Sequence, residues 1–547
     1  MNGVKSQLDV WVFIMLLFGV AVGVFFRFYH LDQKTFWEDE IIGTVHSLGY
    51  TEAEIVRSAP RISSAADLQI FFKPSPGKSG NISTTVTSLA LEDPQHTPLF
   101  YVGNRLWIER VGSSVTMLRF LPACYGCFAI VAMYWLGIEL FRLHGTALIA
   151  SAFLAVSPIA VLYSQEAREY SLWTLAVLVS SAIFLRACRL DSRAWWLAYA
   201  VSTVMGLYVY PLTALIIFGH GLYLSTAVGI RSASVARNFI AACLLAGCLF
   251  VPWLVRMNAG NGLREMHAIL TTMTSPKTIV LTFWRDIKMS FVDFGYTDSR
   301  MIARTSSLIG IALTVLIAFA IRFNAQARHR GNASFLLFGF VVPFVPFVPF
   351  VAYDVIFHGG FVFQARYFIP VYLAVAFALA SFLENMLDRR TRNVTARAFW
   401  GIAVVSVSIV GIISCGISSN ASTWYNKDFE RTPQVAAIVN RMRQPLVIAD
   451  RGTSRVLGLG FYLDPSVAMS LNLHCDSCTV KAPSCGNLIA GRDGYYNIVV
   501  IGRGRDQGSF DVGFEAAMRV PAKRLTVLQT QIFPRQGTPL NMFAAAY

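Results

Sequence analysis

Three groups of ionisable residues stand where long apolar runs of this 547-residue chain begin or end. The first is "FWEDE", in which Glu38, Asp39 and Glu40 follow Phe36 and Trp37 directly. The second is "LEDPQHTPLFY", with Asp93 and His96 just ahead of an apolar run, and the third is "LYSQEAREYSLW", with Glu166, Arg168 and Tyr170 in a very short connection. Carboxylates can accept a proton from a reacting group, and an arginine fork matches phosphate oxygens without losing its charge. Asp93, His96 and Glu166 also supply ligand types that fit manganese, magnesium or zinc, although their spacing is not diagnostic. Each group has an ordinary alternative, since acids behind a membrane span are commonly solvated loop residues or helix N-caps.

The elements that must position these groups are membrane helices. Hydrophobic residues make up 55% of the chain and charged residues only 14%, with a mean hydropathy of +0.53. That is the composition of a polytopic membrane protein. A crossing takes about 20 mostly apolar residues, and walking the runs predicts about eleven transmembrane helices. They lie near 8–26, 117–140, 147–163, 170–185, 196–210, 212–228, 240–254, 306–321, 335–353, 367–382 and 398–415.

Arginines collect in alternate connections, at Arg142, then Arg186, Arg189 and Arg193, then Arg231 and Arg237, then Arg322, Arg328 and Arg330, then Arg389 to Arg397. Short positively charged loops stay cytoplasmic. The first run lacks a small-residue cleavage site and reads as an uncleaved signal anchor, which puts the N-terminus inside. All three clusters then lie on the outer side at helix mouths, and together they point to a shared polar cleft. Trp37 fits headgroup depth there. The net charge of +15 is largely the inside bias, and no aromatic-and-basic module supports nucleic-acid binding.

The expected domains are a transmembrane part, 1–417, with outer loops 30–98 and 256–304, and a small C-terminal α/β extracytoplasmic domain, 418–547. In the latter, "TPQVAAIVNRM" has helical spacing, while "PLVIAD" and "YNIVVIG" are short buried-strand runs. Its Cys475, Cys478 and Cys485 with His474 resemble a zinc set, but thiols on an oxidising face more often make one disulfide and leave one cysteine over. The other six cysteines are expected to pack as small apolar residues. His220 and His358 sit near span ends and are expected to pack. In "VVPFVPFVPFVAY" proline recurs every third residue, which predicts a broken helix.

The order "FWEDE", "DPQHTPLFY", "RFLPACYGCFAIVAMYWLGIELF", "SPIAVLYSQEAREYSL", "GLYVYPLTAL" and late "FQARYFIPV" resembles the polytopic C-type glycosyltransferases. The branch it is most similar to holds the dolichyl-phosphate-mannose protein mannosyltransferases and the lipid A aminoarabinose transferases. The resemblance covers about the first 230 residues well and the region around Arg366 loosely. Thr97 stands where the family usually has a proline, and Tyr210 falls near a place where relatives often carry histidine.

The resemblance implies a transferase in the plasma (inner) membrane that takes a sugar from a polyprenyl phosphate and passes it to an acceptor hydroxyl on the periplasmic or outer face. By motif position, Asp39 is the general base, with Glu40 supporting it or capping the following helix. The leaving phosphate gains charge, which arginine suits. Arg168 and Arg366 are the candidates, with Tyr163 and Tyr170 able to donate to the same oxygens. A direct displacement of this kind inverts the anomeric centre. Asp93, His96 and Glu166 are left as acceptor or metal contacts, with a divalent cation as the one cofactor considered. A polysaccharide ligase or polymerase shares the many spans but does not need the paired acid clusters, so it ranks second. A transporter calls for internal repeats and mid-span charges, and these spans are almost free of them.

Overall fold

The computed structural model describes residues 8–547 except 76, 226–232, 260–274, 295–299, 327–341, 343–347, 358, 390–391, 425–426 and 428–431. Beyond 474 it describes only short strands. The chain divides into two compact units. The first comprises Met1–Lys34, Pro94–Phe100 and Val115–Tyr425, and the second Thr35–Asp93, Tyr101–Ser114 and Asn426–Tyr547.

The first unit is a multi-pass helical membrane body. Among the described residues, seven helices are long and apolar enough to cross: Val10–Phe28, Val115–Phe141, Tyr170–Leu190, Ala233–Met257, Arg304–Gln326, Ala365–Met386 and Val394–Asn420. An eighth crossing is made if His144–Ala155 and Pro158–Ser164, bent by 63° at their junction, count as one span. The count of about eleven is therefore too high for the described residues. Two of the expected spans are the shorter helices Arg193–Val209, with 17 residues, and Thr213–Ser225, with 13. Pro211 separates them, and the residue before a proline is pushed out of the helical region; Tyr210 duly sits at φ −158°, ψ 124°. Both helices fall short of the about 20 residues that a crossing ordinarily takes. The span expected at 335–353 and its proline repeat fall largely outside the described residues, apart from the helix Val348–Phe357.

The bend at Pro158 frees backbone carbonyls that a bilayer cannot hydrate, so the protein must satisfy them. The fully buried Arg27 donates through Nη1 to Ala155 O at 2.7 Å and to Gly23 O at 2.8 Å, and through Nη2 to Leu154 O at 3.1 Å. Gly23 permits this close crossing, since a Cβ there would come within 2.3 Å of Ala155 O. Beyond the bend, the Gln165 amide donates to Phe26 O at 2.7 Å and to Tyr29 O at 2.8 Å. These bonds tie the connection 165–169 to the end of the first helix. At the far end of the unit's sequence, Lys34 Nζ donates to the carbonyls of Ser418, Ser419 and Ala421 at 2.5, 2.9 and 2.6 Å. A buried ammonium thus closes the C-terminus of Val394–Asn420, where orphan carbonyls favour a cation.

The second unit joins the connection after the first span to the end of the chain. Strands β1 (Pro445–Gly452), β2 (Ala468–His474) and β3 (Asn497–Ile501) run parallel within a five-stranded sheet, with β1 between β2 and β3. Helix Thr453–Tyr462 crosses from β1 to β2, as parallel strands require. The expected helix on "TPQVAAIVNRM" is Thr432–Val439. The early helices pack onto this body: Ala65 N donates to Val467 O at 2.9 Å and Met469 N to Ser63 O at 2.8 Å. Gly460 lets helix Ala65–Gln69 approach, because a Cβ there would meet Leu68 Cδ2 at 2.3 Å. Cys475, Cys478 and Cys485 lie outside the described residues. Of the other six cysteines, all free, Cys415 is buried and Cys248 exposed.

Candidate functional site

A buried polar network of the first unit forms at the connection between Pro158–Ser164 and Tyr170–Leu190. Glu169 is the N-cap residue of the second helix, a position where the helix dipole favours a carboxylate. Its side chain is fully buried, and it meets His96 Nδ1 at 2.8 Å and Arg168 Nε at 3.3 Å. Burial alone would push the Glu169 carboxyl up, but the Arg168 guanidinium and His96 outweigh it and hold the group down at about 2. Arg168 Nη2 also donates to His96 Nε2 at 3.0 Å. The same Nη2 lies 3.2 Å from His96 Nδ1, so the guanidinium covers both ring nitrogens while Nδ1 faces Glu169. His96 is brought in by the stretch Pro94–Phe100, which Trp253 anchors by donating from Nε1 to Pro94 O at 3.0 Å.

A cluster of tyrosines extends from this network. The Arg168 guanidinium carbon lies 5.9 Å from the Tyr170 ring centre, and that of Arg366 lies 5.3 Å from the same ring and 5.7 Å from Tyr367. These are cation–π distances. Tyr163 meets Tyr170 edge to face at 5.3 Å, and Tyr210 meets it at 6.1 Å. Tyr210 also lies 6.5 Å from His96 and 6.4 Å from Tyr367. The extended backbone before Pro211 thus delivers Tyr210 to the cluster. Arg366 comes from the short 3-10 turn Ala365–Phe368 that opens helix Ile369–Met386.

Tyr163 also lines a cavity with Ser171, Phe153, Phe291, Leu373 and Ala376. Its walls are mainly apolar. A row of hydroxyls and two arginines therefore stands beside a space suited to hydrocarbon.

The structure brings together His96, Arg168, Arg366, Tyr163 and Tyr170. Glu166 is buried in the same connection, its carbonyl accepting from Arg168 N at 2.7 Å. Glu169 was missed by the sequence reading, although its place directly ahead of a long apolar helix marks it as a cap. His220 packs as expected: it is fully buried, bonded to Tyr199 Oη at 2.9 Å and stacked on Phe184. His358 lies outside the described residues.

Asp39, Glu40 and Asp93 belong to the second unit. Glu38, Asp39 and Glu40 form the first turn of helix Glu38–Ser47, where acids are favoured. Glu40 is fully buried and its Oε2 accepts from Trp37 N at 3.4 Å, so its carboxylate caps its own helix. Asp39 is half-buried. Asp93 ends helix Ile82–Glu92. Among the described residues, no three His, Cys, Asp or Glu side chains are grouped to hold a metal ion, and His96 is engaged instead with Glu169 and Arg168.

No protein-family model matches the sequence, and no curated protein matches it either. Solved structures do resemble it. ArnT from Cupriavidus metallidurans bound to undecaprenyl phosphate is 12% identical with a TM-score of 0.50, over 84% of this chain and 85% of that one. The Archaeoglobus fulgidus oligosaccharyltransferase in the apo form is 12% identical with a TM-score of 0.48, over 90% of this chain and 70% of that one. The chain shares its polytopic helical fold with ArnT.

Proposed function

We propose that this chain is a membrane glycosyltransferase that moves a sugar from a polyprenyl-phosphate donor to an acceptor hydroxyl, with inversion. The observation that carries the reading is the pairing of Arg168 and Arg366 on Tyr170, beside Tyr163 and its apolar cavity. A polyprenyl phosphate is an anion on a hydrocarbon chain, and this arrangement offers a partner for each half. The undecaprenyl phosphate held by the similarly folded ArnT is the ligand class the reading takes over.

In the proposed reaction Asp39 accepts the acceptor's proton as its oxygen attacks the anomeric carbon. The bond from that carbon to the phosphate oxygen breaks, and the electron pair leaves with the phosphate. The phosphodiester becomes a monoester and gains a negative charge, which Arg168 and Arg366 meet with fixed donors. Glu169 sets the Arg168 fork, and His96 bridges the two. Glu40 holds the helix that carries Asp39. The buried Glu166, with Asp93, remains an acceptor contact in this reading. No step is assigned to a divalent cation, because no ligand set converges among the described residues.

The arginine-bearing connections support a plasma-membrane protein with this chemistry on the periplasmic or outer face. The test is incubation of the purified protein with a panel of polyprenyl-phosphate sugars, scoring released polyprenyl phosphate by mass spectrometry. Release from at least one donor is expected. Release from none by a folded sample would remove the reading.

A further inference from the structure

The three residues directly ahead of Asp39 are each held by a residue more than 380 positions later in the chain. Phe36 is buried, packs against Phe461 with ring centres 5.0 Å apart, and donates its backbone N–H to the Tyr462 hydroxyl at 2.5 Å. The same hydroxyl donates back to Phe36 O at 3.3 Å. Trp37 lies under the buried Lys427 ammonium, 3.8 Å from its ring centre. Glu38 accepts from the Ser454 hydroxyl. All of these groups belong to the second unit.

We infer that the C-terminal segment is a positioning clamp for the acidic turn, with Tyr462, Lys427 and Ser454 as positioning residues that fix where Asp39 points. The inference rests on the reading of Asp39 as the base. An unclamped entry to a helix frays, because its first N–H groups have no partners inside the helix. Here the entry is fixed at three consecutive residues by three different chemistries: a bidirectional hydroxyl, a cation on an aromatic face and a hydroxyl on a carboxylate. Helix Thr453–Tyr462 is itself pinned, since the Gln69 amide donates to Gly460 O at 2.9 Å and to Leu463 O at 2.8 Å. Its Gly458 faces Ile41 of the acidic helix, a Cβ built there lying in ordinary van der Waals contact with Ile41 Cδ1 at 3.4 Å. The late segment therefore grips both the entry and the buried flank of the helix bearing Asp39. Small displacements of a catalytic group are costly, about a hundredfold in rate for roughly 1 Å.

The test uses the full-length protein and the variants Tyr462→Phe and Lys427→Met, with Lys427→Arg as the conservative rescue. Hydrogen–deuterium exchange is read at peptides covering 36–41 and, as a control, at helix Tyr170–Leu190. Faster exchange confined to 36–41 is expected in Tyr462→Phe and Lys427→Met, with near-wild-type exchange in Lys427→Arg. With the donor that the panel identifies, kcat should fall by about tenfold to a hundredfold while donor KM changes by less than about twofold. Unchanged exchange at 36–41, or an equal rise in the control helix, overturns the clamp. Exchange needs no substrate, so a wild-type protein that turns over no donor counts against the proposed reaction and leaves exchange to decide the clamp.

Discussion

The Arg366 guanidinium carbon lies 5.3 Å from the centre of the Tyr170 ring, the same ring that Arg168 covers at 5.9 Å. Two cations converge on one aromatic side chain from positions 198 residues apart. Their environments differ. Arg168 is almost fully buried and pairs with the buried Glu169, whereas Arg366 is half-buried at the mouth of its helix. Arg168 is thus bound into the fold's own electrostatics, and Arg366 is the cation whose loss the fold tolerates better.

Arg366→Lys, Arg168→Lys and Arg168→Ala test that division. Both lysine variants lose the bidentate fork and should weaken donor binding, by an amount on the order of 1.5–3 kcal/mol for a charged hydrogen bond. Arg168→Ala should in addition lower thermal stability, because removing one partner of a buried pair costs about 3–5 kcal/mol. Donor binding and melting temperature measured on the three variants check this. Equal binding by Arg366→Lys and wild type would leave Arg366 as an interfacial anchor.

Glu169 predicts an acid dependence of stability. Its folded-state carboxyl is held down at about 2 by Arg168 and His96 against the cost of burial, from an ordinary 4.5. A depressed acid contributes stability that is fully present above the unfolded value and is lost as pH falls through the folded value. Melting temperature should therefore be insensitive to this group above about pH 5 and should fall between about 4.5 and 2. Glu169→Gln should be less stable at neutral pH and should show a shallower decline over that acid window. Parallel melting curves for both proteins across pH 3 to 8 would remove Glu169 from the network's energetics.

The three ionisable clusters were legible in the sequence because charge is rare at the mouths of apolar runs, and each cluster announces itself locally. Arg366 was legible only through the stretch "FQARYF", since nothing local ties it to Tyr170. Glu169 reads as one more polar residue of a short turn, and its partner His96 arrives from 73 residues away. Of the eleven expected spans, 196–210 and 212–228 fold as helices of 17 and 13 residues on either side of Pro211, because hydropathy marks an apolar run without fixing how much of it stays helical, and 335–353 lies largely outside the described residues. The joining of Phe36 to Phe461 could not be read, since both are ordinary aromatics and the contact closes a loop of more than 420 residues.

Orientation can be tested at residues the structure leaves exposed. Ser79 lies in the segment between the first span and His96, and Arg142 lies directly after helix Val115–Phe141. With native cysteines removed, Ser79→Cys should react with a membrane-impermeant maleimide in intact cells, and Arg142→Cys only after lysis. The reverse pattern would invert the topology and move the proposed chemistry to the cytoplasmic face.

The base assignment has the sharpest outcome. Asp39 stands in the first turn of its helix, half-buried, between Glu38, which accepts from Ser454, and Glu40, which caps the helix. Asp39→Asn keeps the size and removes proton-accepting power, so turnover should drop by a factor of about 10² or more. Donor binding should persist, because the residues proposed for the phosphate are Arg168 and Arg366. A loss in kcat without a rise in donor KM is the signature of an interaction used only in the transition state. Glu40→Gln should behave differently, since a neutral amide still accepts from Trp37 N through its carbonyl, and most turnover should survive. Near-normal turnover in Asp39→Asn alongside a large loss in Glu40→Gln would transfer the base to Glu40 and leave its capping bond as a resting-state contact.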